Sequence, residues 1–294
     1  MASFSGIWVA LVTPFKDNSI DLPALKKLAQ HLIASGVSGL VVCGTTGEAA
    51  ALSKEEQLTV LDAVLDVVPS YQVVMGLSGN NLLDTLQMQQ AIQQRDIAGV
   101  LIPAPYYIRP SQAGLIEYFT HLADASRVPV ILYNVPYRTG VACELETLRQ
   151  LAGHPQIKAI KDCGGNPDAT MALIHDGEID VLTGEDNLIL STLCLGGSGA
   201  ICASAHICPE RFVRLVKQVA QGDLAAARRN FYALLPMIQQ MFSFPSPAPV
   251  KAALALQGWI CNELRSPMQT APLRLQQQIA SILQQLHPEE ARVN

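Results

Sequence analysis

Short runs of β-branched and aliphatic residues alternate along the chain with longer stretches whose apolar positions recur every three to four residues. The short runs fall at residues 7–12, 39–43, 72–76, 99–103, 128–133, 157–161, 179–183 and 199–203. They are unbroken in apolar character, as in Val128-Pro129-Val130-Ile131-Leu132, which suits a parallel strand covered on both faces. The stretches between them carry the helical period. After Asp21, a natural N-cap with Pro23 in the first turn, Leu22, Leu25, Leu28, Leu32 and Ile33 gather on one face. Strand starts are about 27 residues apart, close to the ~30 residues of a strand-helix-strand unit, and eight such units make a (β/α)8 barrel. A doubly wound open sheet is the other topology this rhythm allows. Its Gly-x-Gly-x-x-Gly signature is missing, since Val12-Thr13-Pro14-Phe15 follows the first run.

Residues 209–221 supply the eighth helix, and three more helical stretches follow at 224–241, 250–263 and 273–286. Pro245, Pro247 and Pro249 separate the first two, because proline cannot continue a helix. The expected fold is therefore α/β, a TIM barrel over residues 1–222 with a C-terminal helical region over 223–294. In the last helix, Ile279, Ile282 and Leu286 form an apolar stripe beside Gln276, Gln277 and Gln278, suited to packing on the barrel or on a second subunit.

Composition narrows the function. With 20 basic and 25 acidic side chains the net charge is −5, which disfavours nucleic acid as a partner. An apolar content of 49% with 15% charged residues implies a folded chain throughout. No run reaches the ~20 apolar residues of a membrane helix and residues 1–15 lack the basic start of a leader, so a cytoplasmic protein is expected. The seven cysteines are scattered and odd in number, and the six histidines make no ligand pattern, so neither a disulfide framework nor a metal centre is expected.

A barrel places its chemistry where strands end, because all eight strand-to-helix loops open on one face. Lys161 ends the sixth run, at the mouth of an apolar barrel, where burial favours a neutral amine able to attack a carbonyl. A strand-end lysine reaching solvent or pairing with Asp162 is the plainer alternative. Tyr133 ends the neighbouring run and offers a phenol for proton transfer. Gly44-Thr45-Thr46-Gly47 offers successive backbone N–H groups and two hydroxyls to a carboxylate. Arg138 offers a bidentate fork to a second carboxylate. Gly196-Gly197-Ser198-Gly199 precedes the eighth run and so belongs to the opposite face. Glu185 and Asp186 read as a helix cap.

Gly44-Thr45-Thr46-Gly47-Glu48, Tyr133-Asn134-Val135-Pro136 and Lys161, in this order and spacing, resemble the dihydrodipicolinate synthase and N-acetylneuraminate lyase superfamily, from Gly6-Ile7-Trp8 to the helical tail. The resemblance implies a homotetrameric class I lyase in which Lys161 forms a Schiff base with pyruvate, with no metal and no redox cofactor. Thr45, Tyr133 and Tyr107 would relay protons, Tyr107 from a neighbouring subunit. Thr46 would bind the pyruvate carboxylate, Ile201 would contact pyruvate through its main chain, and Gly184 would lie beside the aldehyde. Arg138 within Tyr133-Asn134-Val135-Pro136-Tyr137-Arg138-Thr139-Gly140 resembles the synthase branch, whose second substrate is aspartate semialdehyde and whose reaction opens diaminopimelate and lysine biosynthesis. Departures are Ala49 in place of a common serine and His206 in place of an asparagine. The lysine-feedback pocket of that branch would map to Ala49, Ala50, Lys54, Gln57, Asn80, Asp84 and Tyr106, and the charge on Lys54 implies weak or absent inhibition. Two other readings share the pocket: a related pyruvate aldolase acting on a 2-keto-3-deoxy sugar acid or similar keto acid, and a barrel that binds a keto acid without catalysis.

Overall fold

The computed structural model describes residues 4–286, so the last eight residues of the helical region over 223–294 lie outside the described residues. Eight parallel strands close into a barrel: β1 (Gly6–Ala10), β2 (Gly39–Val42), β3 (Val73–Gly76), β4 (Gly99–Pro103), β5 (Val130–Asn134), β6 (Ile157–Asp162), β7 (Asp180–Thr183) and β8 (Gly199–Cys202). Each expected run holds one of these strands, displaced by two residues at most. β1 pairs with both β2 and β8, which completes the circle. Backbones approach so closely at this seam that a Cβ on Gly199 would lie 2.0 Å from the Gly6 carbonyl oxygen. A two-stranded hairpin, Phe15–Lys16 with Ser19–Ile20, leads from β1 to the first helix.

The unbroken apolar character of the strands follows from their two buried faces. One set of side chains fills the barrel: Trp8, Ala10, Val41, Val74, Leu101, Ile131, Tyr133, Ala159, Leu182 and Ile201, with Phe4 packed against Trp8. The alternate set, such as Val9, Leu40, Val42, Leu132 and Ile160, faces the surrounding helices. These helices are α1 (Leu22–Ala34), α2 (Lys54–Leu65), α3 (Leu82–Ile92), α4 (Gln112–Asp124), α5 (Leu145–Ala152), α6 (Pro167–Asp176), α7 (Ile189–Cys194) and α8 (Pro209–Ala220). Asp21 caps α1 as its sequence implies, its carboxylate accepting from the Ala24 N–H at 3.1 Å.

Three further helices follow: α9 (Leu224–Met241), α10 (Ala248–Leu256) and α11 (Leu273–Leu286). α9 runs through Pro236 without ending. The second stretch corrects the expectation, because α10 begins two residues early and stops at Leu256 instead of reaching 263. Gly258, at φ 77°, turns the chain, and the Trp259 N–H reaches back to the Leu254 carbonyl, a Schellman ending. Of the expected stripe on α11, Ile279 is buried and Ile282 and Leu286 are half-buried, and Leu275, one turn earlier, is buried beside them. Among the described residues no helix is long and apolar enough to cross a membrane.

Candidate active site

Tyr133 and Lys161 are direct partners in the register between β5 and β6, so both side chains enter the barrel at the same height. Lys161 is buried to 7% exposure, and its Nζ lies 4.4 Å from the centre of the Tyr133 ring. Among the described residues it makes no ion pair and no hydrogen bond, so its amine is committed to nothing. Gly184, at the end of β7, backs the Lys161 stem: a Cβ there would sit 2.6 Å from Lys161 Cε and 2.3 Å from Cys163 Sγ. The missing side chain is what lets the lysine stand upright. Ile201, on β8, packs in the same inner layer.

The ends of β5 and β6 are fastened together. Asp162 Oδ1 accepts from the Gly164 N–H at 2.9 Å and from Asn134 Nδ2 at 3.3 Å, while Asp162 Oδ2 accepts from the Thr170 hydroxyl at 2.6 Å. Asn134 Oδ1 in turn accepts from the Cys143 N–H at 3.1 Å. These bonds consume Asp162, which removes the plainer account of Lys161 as its ion-pair partner.

Burial pushes the Tyr133 phenol far above its ordinary pKa, against the opposing pull of the Arg138 charge and the nearby Thr45 hydroxyl. Tyr133 therefore stays a protonated donor at neutral pH. Cys163, beside Lys161, is pushed up to about 12 by burial and is no nucleophile. Asp186 is fully enclosed, and burial raises its carboxyl to about 6 in spite of donors from Ser204 and Ala203 and the nearby Lys161 charge. The Asp186 carboxylate accepts from Ser204 N–H at 2.7 Å and from Ala203 N–H at 3.1 Å, which ties the end of β7 to the end of β8. This corrects its reading as a helix cap. His206 ties the chain after β1 to the end of β8: its Nε2 accepts from the Val12 N–H at 3.2 Å and Nδ1 donates to the Ala203 carbonyl at 2.7 Å.

A cavity of about 460 Å³ opens above Lys161 and Tyr133, with Thr45 and Arg138 on its walls. Cys43 and Glu48, at φ 52° and 55°, bracket the Gly44-Thr45-Thr46-Gly47 turn and hold it in a conformation that side-chain-bearing residues seldom adopt. Thr46 is buried within that turn. Lys161, Tyr133, Thr45 and Arg138 thus converge on one space, while Tyr107 does not: it stands 88% exposed, at φ 74°, beyond the cavity rim. Sequence reasoning missed the far wall. Ser246, Pro247, Pro267 and Met268, from the C-terminal region, line the cavity opposite the barrel strands. The prolines signalled a helix break, but a break carries no information about what it faces.

A family model described as the dihydrodipicolinate synthetase family matches residues 3–286. A 4-hydroxy-tetrahydrodipicolinate synthase of Methanocaldococcus jannaschii is 39% identical over 267 residues, covering 90% of this chain and 92% of that protein. A solved dihydrodipicolinate synthase superposes with a TM-score of 0.93 at 37% identity, over 96% of this chain and 99% of that one. The chloride-inhibited dihydrodipicolinate synthase of Acinetobacter baumannii, solved with pyruvate, superposes with a TM-score of 0.93 at 31% identity, over 96% of this chain and 98% of that one.

Proposed function

This chain belongs to the dihydrodipicolinate synthetase family, and from that premise we propose that it condenses pyruvate with L-aspartate 4-semialdehyde, with Lys161 as the amine that carries pyruvate. The product is 4-hydroxy-tetrahydrodipicolinate, in lysine and diaminopimelate biosynthesis. The observation that carries the assignment to Lys161 is its uncommitted amine, buried at the barrel mouth against the Tyr133 ring.

The Lys161 Nζ lone pair attacks the keto carbon of pyruvate, and loss of one water leaves a protonated imine. That imine is the electron sink: a methyl proton departs, and the resulting enamine carbon attacks the aldehyde carbon, whose oxygen takes up a proton. The amino group of the second substrate then attacks the imine carbon, closes the ring and frees Lys161. One water leaves overall, and no oxidant or metal is required. Tyr133, a protonated phenol that shares the cavity wall with Thr45, supplies and recovers protons at each step. Thr46 and the backbone of its turn hold the pyruvate carboxylate, Ile201 meets pyruvate through its main chain, and Gly184 leaves room beside the aldehyde. Arg138, exposed on the cavity wall, clamps the semialdehyde carboxylate.

Tyr107 joins the relay from a second copy, within a homotetramer. Its exposure, together with that of Tyr106 and Ile108, supports a covering subunit at this rim. Seven unbridged cysteines support a reducing, cytoplasmic setting.

Borohydride reduction in the presence of pyruvate tests the amine. One reduced pyruvyl adduct on the peptide containing Lys161 is expected, and its absence, or its appearance on another lysine, would overturn the assignment. Turnover of pyruvate with aspartate semialdehyde, followed through a coupled reductase and set against cleavage of 2-keto-3-deoxy sugar acids, tests the substrate pair.

A further inference from the structure

Below the Gly44-Thr45-Thr46-Gly47 turn lies a pair of charges that the condensation does not use. Lys251 of α10 and Glu48 are both enclosed, with 0% and 2% of their side chains exposed, and Lys251 Nζ faces Glu48 Oε1 as an ion pair. Among the described residues Glu48 Oε1 has no other partner, while Oε2 accepts from the Arg265 N–H at 3.3 Å. Lys251 Nζ also donates to the Glu263 carbonyl at 2.9 Å and lies 4.2 Å from the centre of the Phe15 ring. Arg265 packs on that ring too, forks onto Glu56 at 2.7 and 2.8 Å, and donates to the Ala51 carbonyl at 3.0 Å. A fully enclosed lysine is a costly element, and a surface of apolar residues would join α10 to the barrel more cheaply.

The location of the pair supplies a reason. Glu48 closes the turn with its own N–H, which donates to the Thr45 carbonyl at 3.1 Å, so a shift of Glu48 moves Thr45. On the other side, Lys251 follows Ser246 and Pro247, and Arg265 precedes Pro267 and Met268, the four residues that form the far wall of the cavity. The pair therefore joins the turn bearing Thr45 to the wall built by the C-terminal region. We propose that Glu48 and Lys251 are positioning residues that hold the turn bearing Thr45 on the cavity wall it shares with Tyr133 and set the far wall over Lys161. This rests on the proton-relay reading of the site given above. Neither residue reaches the reacting atoms; both act through the turn.

Two full-length variants test the pair. Lys251→Met alone would leave a buried carboxylate without its cation, so the charges are removed together in Glu48→Gln/Lys251→Met; the second variant, Glu48→Gln alone, keeps the shape and leaves Lys251 Nζ both the Gln oxygen and the Glu263 carbonyl as acceptors. In the double variant we expect a melting midpoint near that of the wild type and the same final yield of borohydride-trapped pyruvate. Its kcat should fall by about tenfold or more while KM for pyruvate stays within about threefold, the signature of a displaced relay rather than a lost binding contact. A folded double variant with wild-type kcat would overturn the proposal. If the double variant does not fold, the single variant decides: a kcat lowered about threefold supports the pair, and an unchanged one refutes it. Failure of the wild-type enzyme to trap pyruvate would instead refute the underlying site.

Discussion

Gly184 and His206 show how single residues govern this site in different ways. Gly184→Ala adds one methyl group within 2.6 Å of Lys161 Cε, so the lysine must lean away. The expected result is at least about a tenfold loss of kcat/KM with a poor yield of trapped pyruvate, and a stability loss of about 1–3 kcal/mol from overpacking. Steady-state kinetics and chemical denaturation of the same preparation measure both. His206 is held neutral, its pKa lowered to about 4, first by burial and in spite of its bond to Ala203. A depressed pKa contributes stability that is complete above the unfolded value of ~6.5 and disappears as the pH falls through about 4. Asp186 has the opposite sign: raised to about 6, it contributes stability that is complete below its ordinary carboxylate range and lost as the pH rises through that value. The two contributions oppose one another over mildly acidic pH. His206→Asn removes one of them, so the gap in stability between wild type and variant should narrow steadily as the pH falls from about 6.5 to about 4, by an amount on the order of 3 kcal/mol. Denaturant midpoints at a series of pH values check this, and parallel curves would contradict it.

At the scale of elements, β5 and β6 carry the proposed amine and phenol, and their ends are fastened through Asn134 and Asp162. Asn134→Ala leaves the buried Cys143 N–H without its acceptor and cuts one link to Asp162, so a loss of about 1–3 kcal/mol is expected. Because Tyr133 and Lys161 lie one residue before the fastened pair, kcat should fall with it, which urea denaturation and turnover of the purified variant would show together. The elements themselves were legible from periodicity. Eight buried strands read as apolar runs, and Asp21 with Pro23 announced the start of α1. The overlong reading of α10 arose because apolar positions continue past Leu256, where the signal that stops the helix is the left-handed turn at Gly258. Asp186 was misread for a related reason: an acidic residue after a strand resembles a cap, and only the approach of β8 turns it into a tie between strands.

For the whole molecule, the cavity extends from Lys161 past Ala49, Ala50, Gln57 and Tyr106 to a wall made by the chain's last third. Ala49, Ala50, Gln57 and Tyr106 are among the positions to which the resemblance maps the lysine pocket of some synthases, while Lys54 of that set stands exposed at the start of α2. Its positive charge opposes a cationic ligand, so sub-millimolar lysine is expected to leave the condensation rate unchanged, and half-inhibition in that range would refute the expectation. The sequence alone determined the barrel, because the period of buried positions and the spacing of strands are local properties of the chain. It also determined which residues stand at strand ends, and so the proposed amine, its tyrosine neighbour and the threonine turn. Only the tertiary structure decided what surrounds them: the missing side chain at Gly184, the tie through Asp186, the far wall of prolines and the Glu48–Lys251 pair. Each of these joins residues far apart in sequence, at contacts created by closing the barrel and folding the last helices back across its mouth, and a local pattern carries no trace of that geometry.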